Sequence, residues 1–139
     1  MIIDLEEKTE SGSFDLKGGG KIHLRLLSGD DLKAITKATS SVVPEYVLLK
    51  DPNETIERYH RFESRKFDSD LFDEMTWDLA ITGWDNLFDK NEKPIPVTKE
   101  MKVYLMTSGK APEFVEAVNN GLKALRESEK ANREASEKN

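Results

Sequence analysis

Polar and apolar residues alternate strictly only near the start of the chain. Lys21-Ile22-His23-Leu24-Arg25-Leu26 places Ile22, Leu24 and Leu26 on one side of a strand and the polar residues on the other. Ser13-Phe14-Asp15-Leu16 is a shorter run of the same kind. Between them Gly18-Gly19-Gly20 supplies the positive φ angles of a tight turn, so an antiparallel hairpin is predicted over about 13–27. Residues 1–5 suit an added edge strand. A sheet this small needs a helix across its apolar face.

From Ser28 the period becomes helical. Ser28-Gly29-Asp30-Asp31 is a helix start, and a helix over about 28–39 would bury Leu32, Ile35 and Ala38. Residues 40–53 are apolar in two patches but broken by Pro44 and Pro52, which leaves a loop, an extra strand or a segment that orders on a partner. Ile56, Tyr59, His60 and Phe62 are spaced as a weak amphipathic helix over about 54–66. Asp68 or Ser69 caps a stronger one over about 69–83, with Leu71, Phe72, Met75 and Leu79 on one stripe. Trp77, Ile81, Trp84 and Phe88 lie on a second, which predicts a central helix covered on both faces with these four aromatic and aliphatic residues as its core motif.

After a polar turn containing Pro94 and Pro96, Thr98 opens a helix over about 98–108 carrying Met101, Tyr104 and Leu105. Pro112 opens another over about 112–126, with Phe114, Val115, Val118, Leu122 and Leu125 inward. Residues 126–139 contain no large apolar side chain and are expected to fray or stay disordered. The expected fold is therefore α+β: a small N-terminal antiparallel hairpin or sheet packed on a bundle of three to five helices, forming one domain over 1–125.

Composition narrows function more by exclusion. The chain has 139 residues, 37% hydrophobic and 35% charged, enough for one modest core under a charged surface. It has no cysteine, which removes disulfides, thiolate catalysis and cysteine-ligated metals. Its first residues turn acidic by Asp4, so no secretory signal and no membrane association are expected, and a bacterial cytoplasm fits. Net charge is −6, which argues against direct nucleic acid binding. Seven acids (Asp68, Asp70, Asp73, Glu74, Asp78, Asp85, Asp89) fall within residues 67–89 with no Lys or Arg among them. They read as a solvated helix face, or as an acidic surface for a basic partner, including a decoy that mimics DNA.

Catalytic patterns are weak. An EF-hand starting at Asp89 would place Lys93 and Pro94 where calcium needs an oxygen ligand and a glycine. Gly18-Gly19-Gly20-Lys21 lacks the upstream glycine and following Ser or Thr of a phosphate loop. His23 and His60 are the only histidines, and no spacing marks a metal pair or a nucleophile elbow. No enzyme activity, metal or cofactor is expected. An open apolar segment at Tyr46, Val47, Leu48 and Leu49 is instead the candidate contact for a partner helix.

Trp77-Asp78-Leu79-Ala80-Ile81-Thr82-Gly83-Trp84-Asp85-Asn86-Leu87-Phe88-Asp89, followed by Pro94-Ile95-Pro96-Val97-Thr98-Lys99-Glu100, resembles the tail assembly chaperones of long-tailed bacteriophages and prophages. Those proteins pair a helix ending in a Gly-Trp or Asp-Trp step with an acidic turn, a Pro-x-Pro-like pair and a Thr- or Ser-capped helix. The run from Leu16 to Arg25 resembles their opening hairpin, and residues 40–66 lie outside the likeness. The resemblance implies a non-enzymatic assembly factor that keeps the tape-measure protein soluble until tail-tube subunits polymerise around it. It also implies contact with the tail-tube protein through a longer frameshifted product. A homo-oligomer is compatible with that role, and a structural virion component is the alternative.

Overall fold

A computed structural model describes Met1, residues 9–50 and residues 56–137; the expected edge strand at 1–5 falls almost wholly outside the described residues. Strands β1 (Ser11–Asp15) and β2 (Lys21–Arg25) form the expected hairpin, with Gly18 and Gly19 at φ +84° and +89° in its turn. Helix α1 (Gly29–Thr39) follows, opened by a reciprocal capping box between Ser28 and Asp31. Strands β3 (Ser40–Lys50) and β4 (Glu57–Phe67) come next, then α2 (Ser69–Ala80), β5 (Ile81–Asp85), α3 (Lys99–Thr107) and α4 (Pro112–Glu137). Four helices and antiparallel sheets make this an α+β fold.

The body is built on a three-stranded sheet in the order β1-β2-β5, antiparallel throughout. Ile22, Leu24 and Leu26 point to the face covered by Phe114, Val118, Leu122 and Leu125 of α4, and Ile81, Trp84 and Leu105 complete the core. At Gly121 the helix passes so close that an added Cβ would lie 2.6 Å from Leu24 and 2.9 Å from Phe14. Trp84 is 6% exposed, its indole N–H donates to the Ile95 carbonyl at 2.9 Å, and it meets Phe114 edge-on.

Several expectations are corrected. The helix over 69–83 ends at Ala80, because Ile81-Thr82-Gly83-Trp84 takes the open edge of β2. The register between these strands slips at His23/Leu24, leaving Thr82 unpaired; this bulge turns both Ile81 and Trp84 inward at a spacing that imitates a helix. Of the four core-motif residues, Ile81 and Trp84 are buried and Trp77 packs against the core, whereas Phe88 is 54% exposed in the following turn. Helix α2 is only half-buried and not central; α4 holds the centre. On α1 only Ile35 of the three expected residues is buried, and on α3 Tyr104 is exposed. In place of the helix expected over 54–66 stands β4 (Glu57–Phe67), because its backbone is taken by β3 along eleven cross-strand pairs. The chain beyond 126 remains helical to Glu137, aided by an Arg133–Glu129 pair one turn apart and by Asn132 reaching Glu10 at 3.0 Å.

Candidate interaction surface

Among the described residues strands β3 and β4 pair only with each other. They leave the body together: β3 begins directly at the end of α1, β4 ends one residue before α2, and the Asp68 N–H donates to the Thr39 carbonyl at 2.8 Å across the base. Eleven residues at about 3.3 Å each give a ribbon of roughly 36 Å. Every side chain of β3 is exposed, and on β4 only His60 and Ser64 are partly covered. An isolated two-stranded ribbon is marginal in water, and this one carries Val42, Val43, Tyr46, Val47, Leu48, Leu49, Tyr59 and Phe62 in the open.

The four expected contact residues sit on the outer half of this ribbon. Alternation divides them: Tyr46 and Leu48 share one face with Val42, Tyr59 and Arg61, while Val47 and Leu49 share the other with Val43, His60 and Phe62. One flat partner therefore meets two of the four, and covering all of them requires enclosure of the ribbon from both sides. The Nε2 atom of His60 is shielded from solvent without a hydrogen-bond partner. Lys66 pairs with Glu45 at 3.2 Å on this same face.

A second apolar feature lies on the body. A groove of about 730 Å³ runs between the end of β1 and the first half of α4, lined by Phe14, Leu16, Leu87, Ala117, Gly121 and Ala124 among others. The sequence offers little sign of it, since it depends on small residues of one helix facing a strand far away in the chain.

Polar groups elsewhere have local work. The open face of the sheet carries a row in which Ser13 Oγ lies 2.6 Å from His23 Nδ1 and His23 Nε2 lies 2.7 Å from Asp85 Oδ2. A neutral imidazole satisfies both contacts, accepting from the hydroxyl and donating to the carboxylate. These are the residue types of a hydrolytic triad, but they lie on an open sheet face and do not line the groove. The row ties three adjacent strands. The alternation of Lys21–Leu26 puts His23 on this polar face, but its neighbours there come from strands distant in the chain.

Most of the acid-rich stretch is also engaged. Asp68 caps α2, Glu74 pairs with Lys99, Asp78 with Lys102 and Asp85 with His23. The Asp89 carboxylate accepts from the backbone N–H groups of Asn91 and Lys93, so it closes a turn at the first position of the EF-hand spacing. Only Asp70 and Asp73 of the seven lack a partner among the described residues, which is poor provision for a phosphate-mimicking array. Asp31 accepts from Arg25 and from the Ser28 backbone, and these bonds hold its carboxyl below the usual carboxylate range. Among the described residues no cluster of three His, Asp or Glu side chains could hold a metal ion, and no helix is long and apolar enough to cross a membrane.

No family model, curated protein or solved structure matches this chain. The surface has to be interpreted from its own chemistry.

Proposed function

We propose that this chain is a non-enzymatic tail assembly chaperone of the kind long-tailed phages encode, holding the tape-measure protein soluble in the host cytoplasm. Its support is the ribbon of β3 and β4, whose apolar side chains are displayed on both faces outside a body that already has a complete core. Such an arm suits a long partner with repeated apolar helix faces: Tyr46 and Leu48 grip one segment and Val47 and Leu49 another. Five basic residues (Lys50, Arg58, Arg61, Arg65, Lys66) against three acids (Glu45, Glu57, Glu63) keep the two strands soluble around that apolar surface.

The resemblance of residues 77–100 to the chaperone family concerns the scaffold, since Trp84 and Ile95 are bonded within the body. The working surface is then the ribbon, which that resemblance does not cover. Co-expression with a tape-measure protein encoded beside this chain is the test. The expected result is a soluble tape-measure protein with the wild-type chain, and an insoluble one with Tyr46→Asp/Leu48→Asp. Unchanged solubility with and without the wild-type chain would reject the chaperone function.

A further inference from the structure

We infer that β4 is a self-complementary edge through which two copies of this chain join, converting two exposed ribbons into one four-stranded antiparallel sheet ordered β3-β4-β4-β3. A two-stranded ribbon has two free edges, and these two differ. Pro44 has no N–H, yet it keeps its place in the ladder opposite Glu63, so its nitrogen faces away from β4 and the outer edge of β3 lacks a donor at its middle. β4 contains no proline. By alternation from that same pair, the outward N–H and C=O groups of β4 belong to Glu57, Tyr59, Arg61, Glu63, Arg65 and Phe67.

Aligning β4 antiparallel with a second β4 over its full length centres the pair on Phe62. Arg61 then lies opposite Glu63 of the second copy, and Glu63 opposite Arg61, giving two ion pairs between residues that exchange backbone hydrogen bonds. Tyr59 faces Arg65, and the two Phe62 rings meet on the symmetry axis. Among the described residues neither Arg61, Arg65 nor Glu63 has an ion-pair partner within its own chain. His60, whose Nε2 lacks a partner, comes opposite the Ser64 hydroxyl of the second copy. The one like-charge match, Arg58 with Lys66, falls near the ends between groups that already interact within their own chain.

Neighbouring registers are penalised. Sliding the copies by one step in one direction sets Arg61 against Arg61 on the axis and leaves ion pairs only between Arg65 and Glu57, away from the axis and near the strand ends. In the other it sets Glu63 against Glu63 and Arg61 against Arg65. Pairing through the β3 edge would place Glu45 against Glu45 at its centre. The charges of β4 therefore favour its edge over that of β3, and of these three registers the one centred on Phe62 alone sets Arg61–Glu63 ion pairs on either side of the axis. This association does not depend on which third chain the ribbon serves.

Sedimentation equilibrium of the full chain tests it. The wild type is expected as a reversible dimer; Arg61→Glu and Glu63→Arg, each turning both ion pairs into like-charge contacts, should raise the dissociation constant about tenfold or more. Mixing the two single variants should restore a heterodimer, and Arg61→Glu/Glu63→Arg should restore a homodimer. Because the chain has no cysteine, Phe62→Cys should oxidise to a disulfide-linked dimer while Glu45→Cys, at the centre of β3, should not. A monomeric wild type, single variants that still dimerise, or cross-linking through position 45 but not 62 would overturn the inference.

Discussion

The body and the ribbon of this protein are built from similar strand chemistry and reach opposite outcomes. In the body, β2 lies between two strands and beneath α4, and alternate residues Ile22 and Leu24 are sealed from water. In the ribbon, β3 carries more apolar side chains than β2, and all are exposed. What differs is whether a third element lies across the face. The body has one because α4 crosses the sheet at Gly121, where no side chain intervenes. Among the described residues the ribbon has none. Apolar content thus says little about burial until the covering element is known, and an uncovered strand pair is a surface for another molecule.

That contrast can be broken from either side, beginning with the largest expected effect. Trp84→Ala empties a core position and removes the bond to the Ile95 carbonyl, and should cost about 3–5 kcal/mol in urea unfolding. Tyr46→Ala at low protein concentration should stay within about 0.5 kcal/mol; an equal loss would mean the ribbon is part of the body's cooperative unit. Gly121→Ala would gain helix propensity, but its methyl would lie 2.6 Å from buried Leu24 and 2.9 Å from half-buried Phe14, so a net loss of about 1–3 kcal/mol is expected. Lys102→Met should cost about 1–3 kcal/mol, because Lys102 Nζ donates to both the carbonyl and the carboxylate of Asp78 near the end of α2.

A last effect concerns pH. The carboxyl of Asp31 has a lowered pKa in the folded state, so its contribution is present above the unfolded carboxylate pKa and is lost as pH falls through the folded value. Asp31→Asn should therefore lower stability at neutral pH and flatten its decline in acid, read from urea midpoints across that range. A decline of unchanged steepness would assign acid sensitivity elsewhere.

Short-range signals were legible wherever local physics decides. The Gly18-Gly19-Gly20 turn, the Ser28, Asp68 and Thr98 caps, Pro112 at a helix start and the inward stripe of α4 all follow from dihedral limits, orphan N–H groups and helical period. The candidate contact at 46–49 was legible as apolar and prolines nearby argued against a long helix, but its ribbon form was not. Residues 57–67 have no pattern of their own that outweighs helical spacing; pairing with β3 makes them a strand. The bulge at Thr82 disguised β5 in the same way, since an unpaired residue shifts a two-residue period to three.

By itself, then, the amino-acid order determined the α+β class, the hairpin, the helix starts and an acidic, cysteine-free surface, because each depends on neighbours within a turn or two. Tertiary structure alone decided that Ile81–Asp85 extends the sheet, that Lys102 of α3 supplies the cation missing from the last turn of α2, and that strands β3 and β4 stand out as an arm. Those outcomes turn on backbone groups and charges far apart along the chain, whose meeting no local period encodes.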